Sequence, residues 1–128
     1  MMKSILLAMF LGLVAIPSQA RTKRVITHCR VTVYHPVKSQ TDDTPLITAD
    51  GSRIDLQKLK RREIRWCAIS RDLLWLFPKD KPKRILIEGL GVYEVRDTMN
   101  ARFDHCVDIL LHPSDKRMLN KRMKITIL

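Results

Sequence analysis

The 128-residue sequence lacks the motifs of three common enzyme classes. It contains no nucleotide-binding glycine loop, no metalloprotease helix motif and no serine nucleophile elbow. Aromatic residues are also few, with two Trp, two Tyr and three Phe, and they are not clustered as the stacking platforms of a nucleic-acid-binding surface would be. We therefore expect no nucleic-acid partner.

Cysteine is scarce, and its spacing excludes the usual zinc sites. Cys29, Cys67 and Cys106 match no zinc-ligand pattern, and we expect neither a metal nor another cofactor. Three cysteines allow three single pairings and always leave one thiol over. An oxidised pair fits an exported chain, whereas a buried free thiol fits Cys67 in its apolar run. A cysteine nucleophile has only weak support, from His28 and His105.

The N-terminal residues have the pattern of an export signal. Lys3 supplies a positive charge, an apolar run covers residues 5–16, and residues 17–20 end in small residues suited to cleavage after Ala20. The run has 12 residues, against the roughly 20 that a helix needs to cross a bilayer. The cleavage region has no cysteine, so a lipoprotein anchor is not supported. We expect a signal peptide at 1–20 and no stable membrane anchor after cleavage.

Removal of the signal would leave residues 21–128, a length typical of one domain. The loss of Lys3 would lower the net charge from +11 to +10. Outside the cytoplasm such an excess favours anionic cell-wall polymer, lipid headgroups or extracellular nucleic acid. The basic residues are scattered, so a generic solvated surface explains them equally well.

Short runs of alternating apolar and polar residues predict a mainly β domain. The expected strands cover residues 25–34, 65–69, 84–90, 92–97, 106–111 and 124–128, with a shorter one near 52–56. So many short strands on about one hundred residues point to a small closed β-barrel, which leaves no exposed sheet edge.

Two short helices are expected between these strands. Ser70 can cap a helix over residues 71–76, which Pro78 then ends. Ser114 or Asp115 can start a second helix that runs to about Met123.

Asp108 is the most informative single residue, because it lies in an otherwise apolar strand. Burial there would raise its pKa and suit it to general acid work. Asp97 precedes it by eleven positions and ends the preceding strand, so the two carboxyls can share a cleft as an acid and base pair on a glycosidic bond. The alternative is structural: Asp97 caps a loop, and Asp108 pairs with Arg102 or Arg96.

Four segments together resemble the double-psi β-barrel superfamily. They are T-A-D-G at 48–51, C-A-I-S-R-D-L-L at 67–74, G-V-Y-E-V-R-D-T-M-N at 91–100 and R-F-D-H-C-V-D-I-L at 102–110. They are similar in particular to the 3D domains, named for three aspartates, of membrane-bound lytic transglycosylase A and of wall-lytic proteins of spore formers. The chain also resembles rare lipoprotein A barrels and, more distantly, expansins. The resemblance covers most of residues 31–128.

The resemblance implies which residues carry out catalysis and which contact the substrate. The three aspartates would be Asp72, Asp97 and Asp108, with Asp108 as the catalytic acid and base, Asp97 orienting or polarising it, and Asp72 supporting the cleft. Residues expected to contact substrate are Thr48, Asp50, Thr98, Asn100 and Arg102. The chain departs from the family at 99–100, where Met and Asn replace a glycine pair and would narrow the groove.

The sequence thus predicts a periplasmic or secreted monomer that acts on peptidoglycan or another anionic wall glycan. The leading hypothesis is lytic transglycosylase cleavage of the glycan strand. The rival is a wall-polysaccharide-binding barrel without catalysis, as in expansins, because a fold does not establish an activity.

Overall fold

A computed structural model describes residues 24–128. The predicted signal peptide at 1–20 lies outside the described residues. Within 24–128, no helix is both long enough and apolar enough to span a membrane.

Six strands form a closed barrel in this part of the chain. They are β1 (Ile26–Tyr34), β2 (Trp66–Ile69), β3 (Arg84–Ile87), β4 (Gly91–Thr98), β5 (Cys106–Leu110) and β6 (Asn120–Ile127). Around the barrel the order is β1-β5-β2-β4-β3-β6. The pairs β1/β5 and β2/β4 are parallel, and the other four pairs are antiparallel. The mainly β prediction is therefore confirmed, including barrel closure.

Side chains alternate between the two faces of the barrel wall along each strand, and apolar residues cover the interior and one part of the outer face. One cluster fills the interior and includes Val31, Ile69, Ile85 and Val107. A second cluster lies on the outer face and includes Tyr34, Ala68 and Leu110 from the wall. It is covered by the connection between β1 and β2, which contributes Ile54 and Leu59. We call these two groups the inner and the outer cluster.

The connection between β1 and β2 contains a helix that the sequence did not predict. Helix α1 spans Leu56–Lys60, and the Asp55 side chain caps it by accepting hydrogen bonds from the amides of Gln57 and Lys58 at 3.0 and 3.1 Å. The strand expected near 52–56 is wrong: this stretch makes a single bridge, between Ile47 and Arg53, before the helix begins.

The helix expected from Ser114 or Asp115 to Met123 is also wrong. Asp115 instead forms a turn, in which its carboxyl accepts the Arg117 amide at 3.1 Å and the Arg62 guanidinium at 2.8 Å. β6 begins at Asn120 and pairs with both β1 and β3. Met123, Ile125 and Ile127 alternate along β6 and face the inner cluster, which favours a strand. The pairing of β6 with a strand on each side outweighs the helix propensity of its sequence.

The helix after Ser70 is present as a 3-10 helix, Arg71–Leu76. Ser70 occupies the N-cap position, but its side chain makes no capping bond. The Ser70 hydroxyl is fully buried and accepts a hydrogen bond from the Cys106 amide at 3.0 Å. Ser70 therefore ties the end of β2 to the start of β5.

A tight hairpin joins β3 to β4. Gly89 has φ +86°, the left-handed conformation that such short loops favour in glycine. The Arg65 guanidinium lies 4.3 Å from the centre of the Tyr93 ring and donates to the carbonyls of Leu90 and Val92. One side chain thus stabilises the hairpin by stacking and by hydrogen bonds.

Neighbouring residues in β3 provide a test of the inner cluster. Ile85 is fully buried inside the barrel, whereas Leu86 is 38% exposed on the outer face. We expect Ile85→Ala to lower the free energy of unfolding by about 2–5 kcal/mol, because it leaves a cavity. The matched change Leu86→Ala should cost under about 1 kcal/mol. Urea denaturation measures both, and equal losses would contradict this assignment of faces.

Candidate active site

The site is organised around Ala68, the outward-facing residue in the middle of β2. Ala68 is paired with Asp97 of β4 on one side and with Asp108 of β5 on the other. Side chains paired in register share a face of the sheet, and strands lie about 4.8 Å apart. Asp97 and Asp108 therefore lie on one face, on either side of a small alanine.

A β-bulge puts Asp97 on this face. Cys67 pairs with Val95, but the next residue, Ala68, pairs with Asp97, so Arg96 is an extra residue in β4. If β4 paired regularly here, with no bulge, Asp97 would share a face with Val95, two positions before it, and would point into the barrel. Bulges commonly redirect a side chain next to active sites in this way.

Asp108 lies half-buried beside Thr32 of β1. The Thr32 hydroxyl donates a hydrogen bond to Asp108 Oδ1 at 2.8 Å. Burial raises the pKa of Asp108 above its ordinary value; the Thr32 bond opposes this shift, and the nearby charge of Asp97 adds to it. The net upward direction favours a carboxyl that can hold and release a proton.

Asp97 is held by three donors. Its Oδ1 accepts the amides of Ala49 and Thr98, both at 2.9 Å, and its Oδ2 accepts the Tyr34 hydroxyl at 3.2 Å. Burial, followed by the charge of Asp97, strongly raises the pKa of Tyr34, so the phenol keeps its proton and acts as a donor. These contacts fix the orientation of the Asp97 carboxylate.

The two carboxyls open into one cleft of about 590 Å³. Its lining includes three residues that the sequence predicted to contact substrate, Thr98, Asn100 and Arg102. Among the ion pairs of residues 24–128, none includes Asp108 or Arg102. The structural pairing of Asp108 with Arg102 or Arg96 is therefore not found.

Met99 and Asn100 affect the groove differently. Met99 is buried in the outer cluster, whereas Asn100 is exposed and accepts the Arg102 amide at 3.1 Å. The Arg71 side chain donates to the Met99 carbonyl at 3.1 Å and holds this loop. The methionine thus packs beneath the groove instead of projecting across it.

Asp72 lies apart from Asp97 and Asp108 and is absent from the lining of their cleft. Its Oδ2 accepts the His105 amide at 3.0 Å and lies 3.0 Å from His105 Nδ1. It therefore stabilises the loop from which β5 begins. Of the three aspartates, the structure brings two together.

Thr48 and Asp50 lie in the turn that supports Asp97. Thr48 is buried, and its hydroxyl donates to Asp50 Oδ1 at 2.6 Å. Asp50 also lies 3.6 Å from the Arg96 guanidinium. Because this turn presents the Ala49 amide to Asp97, its role in the structure is to position that carboxyl.

The sequence analysis did not identify two residues of the site, Thr32 and Tyr34. Their alternation in β1 is visible in the sequence, but their carboxyl partners follow only from the pairing of strands distant in the chain.

The thiols and possible metal ligands lie outside this chemistry. All three cysteines are free; Cys29 and Cys67 are buried, and burial raises the pKa of Cys29 to about 11. No group of three His, Cys, Asp or Glu side chains within residues 24–128 is arranged to hold a metal ion.

Comparison with models of protein families, with curated proteins and with solved structures gave no match.

The environment of Asp108 predicts two opposite shifts in its titration. Thr32→Val removes a donor to the carboxylate and should raise the pKa of Asp108 further, whereas Asp97→Asn removes a nearby negative charge and should lower it. Carbon-13 NMR of the carboxyl resonances against pH measures both. Asp104, on an exposed loop, serves as the reference resonance, and shifts of the same sign in the two variants would contradict this account.

Proposed function

We propose that this chain is an exported, peptidoglycan-active protein with a double-psi β-barrel of the 3D type, which cleaves the glycan strand by a lytic transglycosylase reaction. The observation that carries the proposal is the pairing of Ala68 with both Asp97 and Asp108, which sets two carboxyls in one cleft.

The barrel supports the superfamily assignment. A six-stranded closed barrel with two parallel pairs, β1/β5 and β2/β4, is compatible with double-psi topology. The D-T and V-D-I segments, which carry the resemblance to 3D domains, meet on either side of β2. Residues distant from one another in the chain thus contribute to one cleft.

Asp108 suits the acid step. As the protonated acid it would give its proton to the glycosidic oxygen while the bond between that oxygen and the anomeric carbon breaks. Its raised pKa increases the fraction of acid available at a given pH.

Asp108 also suits the base step that follows. As a carboxylate it would accept the proton of the muramoyl 6-hydroxyl while that oxygen bonds to the anomeric carbon. The nucleophile belongs to the substrate, so one residue performs both steps and returns to its starting state. The products are a shortened strand and a 1,6-anhydro sugar.

Asp97 acts through Asp108 as a positioning residue. Its carboxylate is oriented by Tyr34 and by two amides, and its charge helps to keep the proton on Asp108. Arg102, exposed beside the cleft, would contact an acidic substituent of the glycan. The net charge of +10 that residues 21–128 carry favours approach to the anionic wall.

Replacement of the Asp108 carboxyl by an amide tests the reaction directly. We expect Asp108→Asn to reduce release of 1,6-anhydromuropeptides from purified peptidoglycan by at least about 100-fold, because general acid catalysis typically contributes that much. Chromatography with mass spectrometry measures the products. The control is Asp104→Asn, an exposed aspartate near the start of the same strand, which should retain activity.

Three results would overturn the proposal or its assignment. Undiminished product from Asp108→Asn would remove this residue from the mechanism. Release of reducing ends without anhydro sugars would indicate hydrolysis. Binding to sacculi without products from the unaltered protein would favour the non-catalytic wall-binding barrel.

The pH profile provides a separate test. Because the acid form of Asp108 starts the reaction, the rate should fall as pH rises through its pKa. Thr32→Val should move this falling limb to higher pH, since it removes a hydrogen bond that lowers the pKa. Initial rates of anhydro-product release between about pH 4 and pH 8 measure the limb, and an unmoved limb would exclude Asp108 as the group that controls it.

A further inference from the structure

A second cavity adjoins the cleft of Asp97 and Asp108. It has a volume of about 740 Å³, and Asp97 and Thr98 line both spaces. Its own lining includes Trp75, Lys81, Pro82 and Lys83. The two spaces thus adjoin at the end of β4, where an extended ligand could reach both.

Trp75 is the most distinctive side chain of this second cavity. It is 78% exposed, although it belongs to a helix that is otherwise anchored. Leu73 of that helix is buried in the inner cluster, and Leu74 and Leu76 pack against the same cluster. A large aromatic ring held in solvent on an anchored helix offers a ligand a broad apolar face and a polar N–H group.

The cavity lining carries three basic side chains, Lys81, Lys83 and Arg96, and three acidic ones, Asp50, Glu94 and Asp97. Arg96 is paired with Glu94 at 2.9 Å and lies 3.6 Å from Asp50, so its charge is compensated. Lys81 and Lys83 take part in none of the ion pairs of the described chain, 24–128. Two ammonium groups that form no ion pair within residues 24–128 therefore lie beside the apolar surface of Trp75 and Pro82, where they can bind an anionic group of a ligand.

We propose that this cavity is a glycan subsite, in which a pyranose ring stacks its C–H face on Trp75 while Lys81 and Lys83 bind a carboxylate carried by the strand. The inference rests on the proposed function, because it assumes that one glycan strand extends from this subsite to Asp108. Trp75 is here a binding residue, and it takes no part in the chemistry.

The affinity for isolated glycan strands tests the subsite. We expect Trp75→Ala to weaken binding of peptide-free, soluble peptidoglycan strands by about tenfold, the effect of losing roughly one aromatic contact. Isothermal titration with the Asp108→Asn protein measures this without turnover. The control is Met118→Ala, which changes an 89% exposed apolar residue that does not line the cavity.

A neutral probe separates stacking from charge. Chitotetraose has pyranose rings but no carboxylates, so Trp75→Ala should weaken its binding, whereas the double change Lys81→Ala and Lys83→Ala should not. The same double change should weaken binding of the peptidoglycan strands, and this loss should diminish in high salt.

The outcomes distinguish the subsite from the proposed reaction. Strand binding that depends on Trp75 in a protein that makes no anhydro sugars would retain the subsite and reject the reaction. Normal affinity and KM in Trp75→Ala, in a protein whose products require Asp108, would reject the subsite and retain the reaction. Absence of any strand binding by the unaltered protein would overturn the subsite.

Discussion

The fold and the candidate site both depend on the insertion of β2 between β4 and β5. β2 has only four residues, yet it pairs parallel with β4 and antiparallel with β5, and this closes one side of the barrel. Its inward residues belong to the inner cluster, while Ala68 faces outward between two aspartates. Strand pairing alone thus brings together carboxyls that the chain separates by eleven positions.

The arrangement carries an energetic cost that neighbouring donors reduce. Burial disfavours the charged form of Asp108, and the nearby Asp97 disfavours it further. Thr32 donates to one carboxyl and Tyr34 to the other, so neither lacks a partner. Functional sites commonly retain such unfavourable charge placement at some loss of stability. The inner cluster supplies stability on the opposite face of the same wall.

Much of the barrel could be predicted from the sequence, because inward and outward residues alternate clearly in its strands. The errors arose where local signals compete: Asp115 caps a turn instead of a helix, and Asp55 caps a helix within an expected strand. For the site, the spacing of Asp97 and Asp108 was visible. The role of Thr32 and the extra residue Arg96 were not, because both depend on register between strands distant in the chain.

Because of the bulge at Arg96, the position of Asp97 depends more on the number of residues in β4 than on their identity. With the bulge kept at Arg96, insertion of one residue between Arg96 and Asp97 would place the new residue opposite Ala68, and the Asp97 carboxylate would then face the interior, among Ile69 and Val107. The barrel could accommodate many exchanges of side chain along this strand. Among descendants of this chain, insertions should therefore be rarer than substitutions within β4, and should fall instead in the connections beyond it.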